Sequence, residues 1–149
     1  MAVLALVVAR AAHAQTAPRP RAEIVRVEQF TLQNQQIDYP GARVRTTDGA
    51  VPDSPGSQQI RVHWHALPPG IPPGAVLMLE VIHDRNPVIQ NKILPYRTVS
   101  IGDIHSTVVF TARDIQQSGY VNAWRASVAW RGRILARTHS PTWTTASLP

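Results

Sequence analysis

The chain contains no cysteine, which excludes disulfide staples, thiolate metal sites and a lipid-modified N-terminal cysteine. A fold without staples is held by its core alone. Lysine is nearly missing as well: Lys92 is the only one, so the formal net charge of +6 is carried by arginine. Long uninterrupted stretches are scarce. Thirteen prolines and eight glycines cut the 149 residues into short segments, and none reads as a long amphipathic helix. No apolar run reaches the roughly 20 residues that a spanning helix needs, so no transmembrane helix is expected in the mature chain. Catalytic signatures are lacking too. Ser100, Ser106, Ser118 and Ser140 stand outside any G-x-S-x-G elbow, and Glu80, Asp84, Asp103 and Asp114 show no acid/base spacing. Glycine-rich phosphate loops are absent. The expectation is a non-enzymatic protein with no cofactor.

What is present begins with a leader. Ala2–Ala9 (AVLALVVA) is an apolar run of signal-peptide length, and Ala12-His13-Ala14 fits the small-x-small pattern before a cleavage point at Gln15. The usual basic n-region is missing, because Met1 opens directly onto the apolar run. We therefore expect an exported protein, in the periplasm or at the cell surface, with residues 1–14 as signal peptide and 15–22 as a flexible N-terminus. Cleavage after Ala12 would instead leave His13 as a terminal copper chelator; the Ala-x-Ala pattern favours Ala14. Export also separates the chain from nucleic acid. Its arginines then favour an anionic surface as a further contact.

The whole chain is 44% apolar, and the remainder after the leader is long enough for one domain with its own core. Period-two alternation dominates it. Glu23–Leu32 alternates through Val25 and Val27, then slips so that Phe30 and Leu32 share a face, which predicts a bulge near Glu28-Gln29. Gln33–Gln59 is long and polar, with Arg43–Thr47 as a candidate edge strand. Gln58–Ala66 places Ile60, Val62, Trp64 and Ala66 on one face and Arg61, His63 and His65 on the other. The doubled Pro-Pro-Gly at 68–74 reads as a stiff connector. Ala75–His83 is a central strand with Leu77, Leu79 and Val81 in the core. Val88–Leu94 and Arg97–Ile101 are edge pieces interrupted at Pro95, and Ile104–Thr111 carries Val108 and Phe110 inward.

Ala112–Gly119 reads as one helical turn between sheets. Tyr120–Trp130 follows, with Trp124, Ala126, Val128 and Trp130 on one face. Arg131-Gly132 then turns the chain into Ile134–Thr138; a bulged turn would bring Ile134 and Ala136 to the core, a two-residue turn would bring Leu135. Seven to nine strands with turn signals at short intervals predict an all-β, immunoglobulin-like sandwich over residues 23–140, followed by a tail at 141–149.

From Ile104 to Trp143 the chain resembles a group of small secreted immunoglobulin-like proteins of bacterial cell envelopes, some encoded beside type IV pilus-like assembly components. The resemblance lies in Val108-Val109-Phe110, the Arg113–Gly119 crossover, the Trp124, Val128 and Trp130 strand, Arg131 to Leu135, and the closing Ser140-Pro141-Thr142-Trp143. It implies an envelope component that works by contacting another protein.

Two constellations are candidates for that work. Arg125, Arg137 and His139 are expected on adjacent strands as a basic outward stripe, with Trp143 beside them as an anchor for a protein partner. The alternative is a copper or zinc site. His63 and His65 project from one face of a strand within reach of a single ion, and His83 or His105 would add ligands.

Overall fold

A computed structural model of the chain describes residues 16–32, 38–39, 42–43 and 56–143. The expected leader, His13, residues 144–149 and most of Gln33–Gln59 lie outside the described residues.

The clearest alternation builds the centre of the molecule. In β4 (Ser57–Ile71) every second residue from Gln58 to Ala66 is buried, and in β5 (Ala75–His83) every second residue from Ala75 to His83 is buried. Both strands therefore turn a continuous apolar face inward. β4 is the middle of a three-stranded antiparallel sheet, between β1 (Ala22–Leu32) and β7 (Ser100–Phe110). β5 lies inside a four-stranded antiparallel sheet, between β6 (Gln90–Tyr96) and β8 (Val121–Trp130), with β9 (Arg133–His139) outside β8. The two sheets pack face to face in an all-β sandwich. The long strands divide between the sheets as first, second and fifth against third, fourth, sixth and seventh. Two short strands, β2 (Asp38–Tyr39) and β3 (Ala42–Arg43), pair with each other; of the candidate edge strand only Arg43 is described, and residues 44–47 lie outside the described residues.

The core is made of Ile60, Val62 and Trp64 from one sheet and Leu77, Leu79, Val81 and Val128 from the other, closed by Phe110 and Ile115. Ile115 comes from α1 (Ala112–Ser118), the crossover between β7 and β8, which runs about two turns rather than one. Polar side chains fasten the sheets together at two places. The Trp64 indole donates to Ser106 Oγ at 3.0 Å, and Ser106 also hydrogen-bonds the Tyr96 hydroxyl from the facing sheet. At the other end, buried Gln58 accepts from the Val121 N–H at 2.7 Å while Gln29 donates to the Val121 carbonyl at 2.9 Å. Both backbone groups of the first β8 residue are thereby satisfied where its pairing with β5 shifts register.

Four local expectations are corrected. The bulge in β1 falls between Ile24 and Arg26, not near Glu28-Gln29, so Val25 is the unpaired extra residue and is 67% exposed. Ile24 packs on the core in its place, and Val27 packs there as its alternation predicts. The prolines at 68–69 do not end β4. The strand continues to Ile71 through an irregular stretch containing a cis Pro68-Pro69 bond. Nor does Pro95 interrupt its strand, because β6 is an edge strand and tolerates a residue without an N–H. The turn at Arg131-Gly132 has two residues, both with positive φ (48° and 74°), and pairs Trp130 with Arg133. A bulge then follows at Leu135, so Leu135 and Ala136 both reach the core while Ile134 is 43% exposed.

Candidate functional site

The expected basic stripe forms on the outer face of the four-stranded sheet. Arg125 on β8 lies directly opposite His139 on β9, and Ser127 lies opposite Arg137. Each long side chain has a fixed partner. Arg125 forms a two-point ion pair with Glu80 of β5, its Nη2 2.7 Å from Oε1 and its Nε on the other carboxylate oxygen. That hydrogen-bonded pairing raises the arginine pKa against the opposing effect of burial, so the charge is permanent. Arg137 donates through Nε to Ser127 Oγ at 3.0 Å, and Ser127 is fully buried beneath it. His139 Nδ1 donates to the Ser140 carbonyl.

Trp143 completes the face, held there by the Ser-Pro-Thr-Trp turn. Ser140 extends the β9 pairing by one residue: its N–H donates to the Trp124 carbonyl and its hydroxyl accepts from the Trp124 N–H at 3.0 Å. Thr142 donates to the Asn122 carbonyl at 2.6 Å, and the Trp143 N–H returns to the Ser140 carbonyl. The indole of Trp143 is thus laid over the sheet, half-buried, with the Arg125 guanidinium 4.8 Å from its ring centre. Trp143, Arg125, Arg137 and His139 are therefore brought together, and the sequence missed only Glu80, which stands 45 residues from its partner.

The histidines occupy the opposite outer face. His63 on β4 and His105 on β7 are cross-strand partners with ring centres 4.3 Å apart, edge to face. His63 Nε2 donates to Glu28 of β1 at 2.9 Å, and His65 Nδ1 donates to Asp103 at 2.8 Å. A shallow depression of about 170 Å³ lies beside His63, His105 and Asp103. His83 does not join them. It is buried at the end of β5, donating from Nδ1 to the Gly119 carbonyl at 2.8 Å, with its ring against Phe110. Two of the four candidate ligands thus already give a ring nitrogen to a carboxylate and a third is enclosed. Among the described residues no group of three or more histidines and carboxylates could hold a metal ion.

A feature not expected from the sequence is an apolar cleft of about 530 Å³ at one end of the sandwich. Pro18 and Pro20 of the N-terminal segment, Pro69, Pro72, Val99 and Trp130 line it. The doubled Pro-Pro-Gly is the visible signal for it: the prolines lie in the irregular stretch of β4 between Ala66 and Ile71 and just beyond the strand's end, and Pro69 and Pro72 both line the cleft. Among the described residues no helix is long and apolar enough to cross a membrane. No protein-family model matches the chain, and no curated protein and no solved structure is significantly similar to it.

Proposed function

We propose that the domain is a non-enzymatic protein-interaction module of the bacterial cell envelope, exported and presenting the Trp143 face to a protein partner. The observation that carries this reading is the set of fixed side chains around that indole. Tryptophan and arginine are the residue types that most often dominate binding energy. Here Arg125, Arg137 and Trp143 are held before any partner arrives, so little side-chain freedom is left to lose on association. The leader and the resemblance to secreted envelope proteins support the location, and the resemblance suggests a pilus- or secretion-associated partner.

Crosslinking in the native cell, followed by identification of attached proteins, tests the reading. Trp143→Ala and Arg137→Glu should each reduce recovery of the partner by about tenfold or more, the effect of a hot-spot residue. Both sites are superficial, so the variants should fold. Unchanged recovery from both variants would remove the face from consideration. The copper or zinc alternative is checked on protein purified without chelator. It requires stoichiometric metal that disappears in the His63→Ala, His65→Ala double variant.

A further inference from the structure

An open sandwich has four sheet edges, and three of them here are blunted. β6 carries Pro95 and turns Lys92 inward over the Phe110 ring, 5.7 Å from its centre. β9 carries Arg133 and Arg137 and is bent by the bulge at Leu135. β1 is bulged at Val25 and lies against β9. These are the devices by which sheet edges avoid pairing with other chains. β7 has fewer of them, its pairing with β4 shifting register only beyond Gly102, which has φ +74°. It is eleven residues long, contains neither proline nor lysine, and bears one charged side chain, Asp103. Among the described residues it pairs with β4 alone. Two outward-facing residues near its ends are apolar and open to solvent, Ile101 at 60% and Val109 at 49%.

The pattern of that strand selects its occupant. Its outer face reads Ile101, Asp103, His105, Thr107, Val109, apolar at both ends and polar between. A second copy laid antiparallel about a two-fold axis at His105 sets Ile101 against Val109, Asp103 against Thr107 and His105 against itself. This is the only register that overlaps all eleven residues. It covers both exposed apolar side chains twice over and sets no two carboxylates opposite each other. Shifting the axis to Asp103 would oppose two carboxylates and leave Val109 uncovered. We infer that β7 is a self-pairing edge, through which two copies of this chain join their three-stranded sheets into one six-stranded sheet. A contact confined to one strand edge is small, so the dimer is weak, with a Kd of about 1–100 µM. The Trp143 face lies on the other sheet and stays open, so the inference stands apart from the function proposed above.

The lack of native cysteine makes the register directly readable. Cross-strand pairs place Cα atoms about 4.5–5.5 Å apart, within disulfide range. On mild oxidation His105→Cys should give a covalent dimer. Asp103→Cys and Thr107→Cys should not do so singly, but should when combined. Ile93→Cys on β6 serves as the surface control. Sedimentation of the purified chain from 1 to 300 µM should show a monomer–dimer equilibrium, and Val109→Lys should weaken it about 2- to 30-fold, because two cross-strand pairs are lost at once. A monomer across that range overturns the inference. So does a dimer in which His105→Cys crosslinks no faster than Ile93→Cys, since the interface then lies elsewhere.

Discussion

The Ser106 hydroxyl stands between the Trp64 indole, 3.0 Å away, and the Tyr96 phenol, so one small side chain satisfies polar groups from both sheets. Ser106→Ala should therefore leave the buried indole N–H without an acceptor and cost about 1–3 kcal/mol in urea unfolding. A value within a few tenths of wild type would show that the indole finds another partner. Gly119 is bound by geometry instead of hydrogen bonding. Its φ is +84°, and an added Cβ would overlap the Asp84 carboxylate, whereas Gly132 at φ +74° has open space around it. Gly119→Ala should cost well over 1 kcal/mol and clearly more than Gly132→Ala, which bears the conformational penalty alone. Equal losses would place the cost in φ and not in the contact. Neither contact announces itself in the sequence, because the partners of Ser106 and Gly119 stand at 42 and 35 residues' remove.

Elements were legible wherever alternation ran unbroken. β4 and β5 have the faces that their sequences prescribe, with Trp64, Leu77, Leu79 and Val81 inward. Legibility failed at bulges. One extra residue reverses the inside-outside parity of everything beyond it, and its position depends on the partner strand, which a local pattern does not contain. Val25 and Ile134 were lost to the core for that single reason, and Ile24 and Leu135 took their places. The candidate face follows the same division. Arg125, Arg137 and His139 were readable from period two, but the carboxylates at Glu28, Glu80 and Asp103 arrive by inter-strand register.

The helix shows a local signal with a pH consequence. Thr111 caps α1 by accepting from the Asp114 N–H, while the Asp114 carboxylate accepts from the Thr111 N–H at 2.8 Å and from its hydroxyl. This Thr-x-x-Asp spacing is a readable helix start. Hydrogen bonds from the Thr111 backbone, and then from its side chain, hold the Asp114 pKa below the ordinary aspartate value. A depressed carboxyl stabilises the fold fully above the unfolded value of about 3.9, and the stabilisation is lost as pH falls through the lower folded value. Thr111→Ala should cost about 1 kcal/mol at pH 7. The stability difference between wild type and Asp114→Asn should be constant above pH 5 and shrink below about pH 4. A difference that persists undiminished at pH 2 would contradict the cap.

At the scale of the whole molecule, a sandwich without disulfides stands on the contact between its sheets. Total stability for a domain of this kind is about 5–15 kcal/mol, so one large core side chain is a substantial share. The sequence marks Trp64 and Trp124 alike as core tryptophans, but the structure separates them. Trp64 is 1% exposed, stacks edge-on to Tyr96 with ring centres 5.4 Å apart, and touches both layers. Trp124 is half-buried near the Ser140 turn, at the margin of the inter-sheet contact. Trp64→Ala should cost about 3–5 kcal/mol, and Trp124→Ala distinctly less, since a partly exposed ring loses less burial and leaves a cavity that water can enter. Thermal melts followed by far-ultraviolet circular dichroism rank the two directly. The reverse order would mean that the four-stranded sheet, not the contact between layers, is the cooperative unit of the fold.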